Sequence, residues 1–281
     1  MAKRGAVVVT GSSTGIGRAC AVHLGAAGFR VFAGVRRPAD GDALRDEAPD
    51  AIEPLLLDVT DEGQIEAAAD RVGEVTGGRL AGLVNNAGIA LGGPLEILPV
   101  AEFRHQLEVN LVGQVAVTKA LLPQLRAARG RIVLMSSIGG RLAVPYLWPY
   151  NASKWGLEAI GDALRVELRP FGVEVSLIEP GAIATPIWGK GDETASRLRG
   201  LMTAEQEKVY GPALDRFTAE TPGDAHGLPP ERVAKVVEHA LTARRPRTRY
   251  LVGRDAKLRA AMRALLPDRA WDALLARSMG L

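Results

Sequence analysis

The sequence predicts an α/β protein built on a doubly wound parallel sheet, and three observations predict it. Seven short apolar runs are continuous rather than alternating, as in strands covered on both faces. Helical patterns separate most of them, which implies parallel order and right-handed crossovers. No internal repeat and no low-complexity linker divides the 281 residues, a length that buries roughly three quarters of its unfolded surface. The expectation is one domain over residues 1–281.

Residues 6–10, AVVVT, form a β-branched run that stops at Gly11, and apolar residues from Ile16 to Ala27 then recur at helical spacing. That reads as strand, turn, helix. Gly28 ends the helix and RVFAGV (30–35) is the second strand. PLLL (54–57), LAGLV (80–84), RIVLM (131–135), VEVSLI (173–178) and RYLV (249–252) supply the others. Between the last two, residues 186–230 are rich in Gly, Pro and charge and show no strand. This segment reads as the least regular part of the chain, either disordered or lying over a site, and a substrate lid is expected there. ERVAKVVEHAL is a helix, and two more follow around 254–266 and 268–278. Leu258, Met262, Leu265 and Leu266 lie on one side of the first, with Arg259 and Arg263 among its cations. Such a helix covers its own domain, closes over a substrate, or touches a membrane surface.

The totals exclude several classes. Cys20 is the only cysteine, so no internal disulfide and no thiolate metal site can form, and a reducing, cytoplasmic setting fits. The opening cations precede an apolar run of only about five residues, too short for a secretion signal, and no stretch approaches the ~18 apolar residues of a spanning helix. The net charge of +3 conceals an asymmetry: Glu231 to Leu281 holds 12 lysines and arginines against 5 acids, a local +7. RRPRTR in that tail has no aromatic platform or recognised motif beside it, so nucleic-acid binding is not expected.

TGSSTGIG places Gly11, Gly15 and Gly17 between the first strand and first helix. Glycines there let backbone N–H groups and the helix start approach a pyrophosphate, although such turns also form for packing alone. About twenty residues on, a dinucleotide site carries an acid for ribose hydroxyls or an arginine for a 2′-phosphate. Here the second strand ends in GVRRP. Arg36 and Arg37 suit the phosphate of NADP and no acid competes, so NADP(H) is favoured over NAD(H); a solvated strand end is the plain alternative. Ser12 and Ser13 are candidate hydroxyl donors. Asp58, ending LD, either accepts from an adenine amino group or caps a helix. Asn85 to Gly88, NNAG, suits a turn against a flat ligand, as it suits any turn.

If a helix begins near Pro149, Tyr150 and Lys154 share one face at i and i+4. A phenol with an ordinary pKa of about 10 is a poor base at neutral pH, and bringing it to about 7 takes roughly 4 kcal/mol, which a nearby ammonium can help supply. The pair is also common in helices as a packed ring beside a solvated amine. Ser137 ends the fifth strand at the carboxyl edge, where open α/β sheets bind ligands. Asn110 is a polar residue among Val109, Leu111 and Val112, either a core amide or a member of a proton relay. Pro180, Gly181 and Thr185 follow the sixth strand.

Taken in order, Thr10–Gly17, Asn85–Gly88, Ser137, Tyr150–Lys154 and Pro180–Gly181 resemble the short-chain dehydrogenase/reductase family: its T-G-x-x-x-G-x-G, N-N-A-G, Ser, Y-x-x-x-K and P-G motifs. The resemblance covers residues 5 to about 185 and, more loosely, the tail. It implies a Rossmann-like sheet of about seven strands, a homodimer or homotetramer, and reversible hydride transfer between a nicotinamide cofactor and a carbonyl or alcohol. It makes Tyr150 the general acid/base, Ser137 the residue that orients the substrate oxygen, Lys154 the partner of ribose and tyrosine, and Asn110 a relay member. Ile16, Val59, Asn86, Ala87, Gly88, Ile183 and Thr185 join the glycines and arginines as cofactor contacts. VFAGVRRP and the long insert after Thr185 look more like the steroid and retinoid dehydrogenase side of the family than the ketoacyl reductases. Leu142, Val144, Tyr146, Leu147, Trp148, Ile187 and Trp188 are then candidate walls for a lipophilic small-molecule substrate, or else core or interface residues. A non-catalytic NADP sensor and an epimerase or dehydratase on the same scaffold are the rival readings.

Overall fold

In the computed structural model of the protein, which describes residues 4–48, 50–187, 191–220 and 227–280, neighbouring residues of the first strand face opposite layers of helices. Val7 and Val9 of β1 (Ala6–Val9) belong to one apolar cluster and Ala6 and Val8 to the other. A strand buried on both faces needs apolar side chains at every position, which is why the run is continuous. The other strands are β2 (Arg30–Val35), β3 (Ile52–Leu56), β4 (Gly82–Asn85), β5 (Arg131–Met135), β6 (Glu174–Pro180) and β7 (Arg249–Val252). They form one parallel sheet in the order β3-β2-β1-β4-β5-β6-β7. The order reverses between β1 and β4, and the carboxyl edge at that point is where a crevice opens in such sheets.

The helices up to the middle of the chain are α1 (Gly15–Ala26), α2 (Pro38–Glu47), α3 (Glu62–Thr76), α4 (Val100–Leu107), α5 (Gly113–Ala128) and α6 (Trp148–Glu167). They are followed by α7 (Gly191–Arg199), α8 (Ala204–Glu220), α9 (Pro230–Thr242), α10 (Arg254–Leu265) and α11 (Asp268–Met279). Cys20 and Leu24 of α1 pack with Val233 and Val237 of α9 over one face of the sheet. Ile65 and Val72 of α3, Val117, Leu121 and Leu125 of α5 and Leu157 of α6 cover the other.

Residues 186–230 depart from the expectation of irregular chain, because α7 and α8 occupy much of them. Their periodic signal is weak because few apolar anchors hold them. Leu198 is fully buried against Ile97, Leu98 and Trp148. The rest is polar pairing: Arg197 makes two bonds of 2.6 and 2.7 Å to Glu102, while Gln206 and Tyr210 both donate to Glu96. The roots of this insert are joined by a short parallel bridge between Ile183 and Leu228.

The tail helices cover the domain. Ala256 of α10 and Trp271 of α11 are buried with Ile138 and Leu142, and Val144 packs against the same cluster. Leu142 and Val144 are therefore core residues here and not pocket walls. Of the apolar stripe on α10, Met262 and Leu266 pack inward, while Leu258 and Leu265 are exposed.

Cys20 has no accessible surface, and burial pushes its thiol from 9.0 up to about 12. The folded chain thus holds this proton more tightly than the unfolded chain does. The associated stability is fully present below about pH 9 and is lost as the pH climbs towards 12. We expect no reaction of native protein with a thiol reagent at neutral pH. The denaturation midpoint of Cys20→Ala should also decline less steeply than that of the parent between about pH 9 and 11.

Candidate active site

The site is assembled where the turns after β1, β4, β5 and β6 meet. Gly11 and Gly15 have φ of 64° and 56°, the left-handed region, so the turn after β1 doubles back sharply before α1. A Cβ on Gly11 would stand 2.8 Å from Ala87 Cα, and one on Gly17 would overlap the Gly11 carbonyl. The turn after β4 is bolted to it: Thr10 Oγ1 accepts from the Asn86 and Ala87 amides at 2.9 Å, and Asn86 Nδ2 donates to the Thr10 and Gly11 carbonyls. Behind it, Asn85 Nδ2 donates to Thr118 Oγ1. Thr14 caps α1 without a side-chain bond and no acid sits in the first turn. Among the described residues the amides of Gly15, Ile16 and Gly17 have no acceptor, and they stand at the electropositive end of the helix. A cradle with glycine where any Cβ would intrude and unused N–H donors fits a dinucleotide pyrophosphate.

The neighbouring candidates differ in what they have free. Ser12 is buried and spends its proton on the Val9 carbonyl at 2.8 Å, so it is not the free donor the sequence suggested. Ser13 is half-buried with no side-chain hydrogen bond among the described residues. Arg37 caps α2 and holds Asp40 through two bonds of 3.0 and 2.8 Å, which raises its guanidinium further. Arg36 is exposed and makes no ion pair among the described residues, leaving it as the cation available at the end of β2. Asp58 accepts from the amide and hydroxyl of Thr60, and its own amide donates to Gln64. The helix cap is instead Asp61, which accepts from the Gln64 amide. Val59 is buried, and Gly113 lets the start of α5 come against its carbonyl.

Beyond β5, the Ser137 hydroxyl accepts from the Gly139 amide at 3.0 Å in a short 3₁₀ turn, Ile138–Gly140. It is also hydrogen-bonded to the phenol of Tyr150 in the first turn of α6. Both Tyr150 and Lys154 are buried. Lys154 Nζ donates to the Met135 carbonyl at 2.8 Å and stands 5.6 Å from the centre of the Tyr150 ring. Burial drives the tyrosine above its ordinary value, against which the Ser137 bond pulls down. The net direction is upward, where the sequence reading expects a lowered phenol. Burial also lowers Lys154 to about 8, opposed by the charge of Glu158.

Asn110 sits in a π-turn, Glu108–Val112, between α4 and α5. Its amide clamps the backbone after the NNAG turn, with Ile89 N–H to Oδ1 and Nδ2 to the Ile89 carbonyl both at 2.8 Å, and Nδ2 also reaches Ser153 Oγ at 3.0 Å. Ser153 in turn donates to the Tyr150 carbonyl. A Cβ on Gly88 would stand 3.3 Å from Asn110 Oδ1. Two residues escaped notice in the sequence, Ser153 and Asn151. Asn151 donates to the Gly139 and Leu142 carbonyls and accepts from Val144, tying the Ser137 turn to α6. Their signal was two small polar residues inside an otherwise packed helix start. After β6, Gly181 N–H donates to the Val252 carbonyl and Ala182 N–H to Asp255 of α10 at 2.8 Å. Ile183 and Thr185 are buried. The Thr185 methyl lies against Gly15, closing the ring of turns. Trp148 is committed elsewhere, its Nε1 donating to the Gly93 carbonyl and its ring against Phe103. Trp188 lies outside the described residues.

Asn110→Ala would leave both backbone groups of Ile89 without their partner. We expect a loss of about 2–3 kcal/mol, read as a lower denaturant midpoint at unchanged slope.

Comparison with known proteins bears on the family and the fold. The family described as short chain dehydrogenase matches residues 5–196. An NADPH-dependent 3-dehydrocapnine reductase of Ornithobacterium rhinotracheale is 37% identical over 97% of this chain and 96% of its own length. Retinol dehydrogenase 5 of Mus musculus is 40% identical over 96% of this chain and 87% of its own. The crystal structure of a short chain dehydrogenase from Burkholderia cenocepacia in complex with NADP superposes with a TM-score of 0.73 at 27% identity, over 98% and 97% of the two chains.

Proposed function

Because the chain belongs to the short-chain dehydrogenase family, and is an NAD(P)-dependent oxidoreductase of alcohols and carbonyls, we propose that it uses NADP(H) to interconvert a lipophilic ketone or aldehyde with its alcohol. Tyr150 serves as the general acid/base. The observation that carries this reading is the buried phenol of Tyr150, hydrogen-bonded to Ser137 with the amine of Lys154 behind it.

The nicotinamide supplies or accepts the hydride when bound. The chain's part is orientation and protons. Gly11, Gly15, Ile16 and Gly17 would hold the pyrophosphate, Arg36 the 2′-phosphate, and Thr185 with Pro180, Gly181 and Ile183 the nicotinamide end. In reduction, Ser137 holds the carbonyl oxygen and Tyr150 delivers its proton to that oxygen as negative charge develops there. In oxidation the same phenol must first lose its proton. A tyrosine kept protonated by burial is ready for the first role, and Lys154 supports the second by stabilising phenolate and binding ribose hydroxyls. Asn110, which already orders the backbone on this side, would pass the proton onward.

The lipophilic substrate rests on Tyr146, Leu147 and Ile187, which remain of the predicted wall. Tyr146 is held at φ 63°, strained for a residue with a side chain, and its ring meets Phe217 of α8 edge-on at 6.3 Å. The insert α7–α8 would be the cover over this pocket. The name retinol dehydrogenase, carried by a relative, points to the same substrate class. Exposed Val115 on α5 with Trp155 and Val166 on α6 support a homodimer or homotetramer. No described helix is long and apolar enough to cross a membrane.

The test is NADPH oxidation with a panel of lipophilic and small polar ketones, followed at the reduced-nicotinamide band. We expect turnover of the lipophilic ones and a loss of at least about 10³-fold in kcat for Tyr150→Phe with NADPH affinity retained. Preference for NADH would remove the role of Arg36, and preference for small polar ketones would remove the lipophilic pocket. NADPH binding without turnover would favour a sensor, and interconversion without net NADPH consumption an epimerase.

A further inference from the structure

Five charged groups outside the motifs meet behind Lys154, and two of the three carboxylates among them, Glu158 and Glu179, have little access to water. Glu158 lies one turn below Lys154 on α6, and its side chain is 9% exposed. Glu179, on β6 two residues before Gly181, has no exposed side-chain surface. Arg249 of β7 reaches into both, with Nε 2.9 Å from Glu158 and 3.3 Å from Glu179, while its Nη2 holds Asp162 of α6 at 2.7 Å. Arg141, from the turn after Ser137, holds Glu179 at 2.8 Å. Burial and the neighbouring Glu158 push the carboxyl of Glu179 upward, against the pull of Arg141 and Arg249. The Ser137 turn is pressed onto this cluster: a Cβ on Gly140 would stand 3.0 Å from Glu158 Cγ and 2.8 Å from Ser136 Oγ.

We propose that Glu158 is a positioning residue that acts through Lys154, its carboxylate holding the buried amine in the charged form while Arg249 anchors it from the far side. This rests on the reading of Lys154 given above. Lys154 has no ion pair of its own among the described residues, and its bond to the Met135 carbonyl is to a neutral acceptor. Glu158 is the charge that opposes the desolvation of the amine. Removing Glu158 takes that attraction away and leaves the amine with the neutral Met135 carbonyl alone. The groups around Glu158 that set the balance are Lys154 and Asp162 on α6, Glu179 on β6, Arg249 on β7 and Arg141 after the 3₁₀ turn. Anchoring by Arg249 also explains why the carboxylate stays beneath the helix instead of turning to water.

The experiment measures NADPH affinity by nucleotide fluorescence from pH 6 to 10, alongside the pH profile of turnover, for the parent chain, E158Q, E158D and K154M. The proposal expects the alkaline limb of binding to move down by about one pH unit in E158Q, with affinity at pH 6 within about twofold of the parent and several-fold weaker at pH 8. E158D, which keeps the charge, should leave the limb in place. A limb that E158Q does not move, or a loss of affinity equal at every pH, overturns the proposal and makes Glu158 a packing residue. Should E158Q not fold, E158D decides alone: an unmoved limb with its low-pH plateau intact supports the proposal, and a uniform loss overturns it. If K154M binds NADPH as tightly as the parent at every pH, the reading of Lys154 itself is wrong and this inference falls with it; if K154M binds weakly while E158Q matches the parent, only the inference falls.

Discussion

Thr10 and Asn86 hold two chain reversals within van der Waals contact, and the carboxyl edge of the sheet depends on that contact. The strand order reverses between β1 and β4, so the turns after them must separate enough to open a crevice while remaining fixed to each other. The Thr10 hydroxyl accepts two amides and the Asn86 amide donates to two carbonyls across the gap. That spacing is possible only with glycine at 11 and 17, where a single methyl would meet backbone. Backbone does not move aside as a flexible side chain does. The free N–H groups at the start of α1, the placing of Thr185 against Gly15 and the line from the NNAG turn through Ile89 to Asn110 all follow from this one approach.

Electrostatics at the edge is governed by desolvation more than by pairing. Tyr150 and Lys154 are buried together, and burial acts on both in the direction of neutrality, raising the phenol and lowering the amine. The amine is thereby brought to about 8, towards the neutral range, while the phenol is moved away from it and keeps its proton. The polar residue Asn151 keeps the first turn of α6 in register with the Ser137 turn, and Ser153 links that turn to Asn110.

The sheet was legible because burial on both faces writes itself into every residue of a strand; the seven runs lie within two residues or so of their observed limits. The glycines were legible because backbone crowding demands them, and Ser137, Tyr150 and Lys154 because the order of the family's motifs singles them out. What escaped was whatever depends on contacts distant in sequence. Nothing in SRLRG announces that Leu198 is an anchor and Arg197 the partner of Glu102, so α7 looked irregular. Leu142 and Val144 looked like pocket walls because the helices that bury them arrive more than a hundred residues later. Arg36 and Arg37 looked equivalent because Asp40, which occupies one of them, becomes its neighbour only when α2 forms.

The loop after β6 takes its bonds from three places that the ribosome makes later. Ala184 and Ala182 exchange hydrogen bonds with Leu228, Gly181 donates to Val252, and Ala182 donates to Asp255. Since chains are made from the amino end, the glycine turn, the NNAG turn and the tyrosine helix can all be in place while this loop still lacks its supports. The loop after β6 therefore has all its bonds only once the last thirty or so residues are made. The supports arrive in order along the chain: a chain cut short before α10 still has Leu228 and Val252 to hold this loop and lacks only the Asp255 carboxylate.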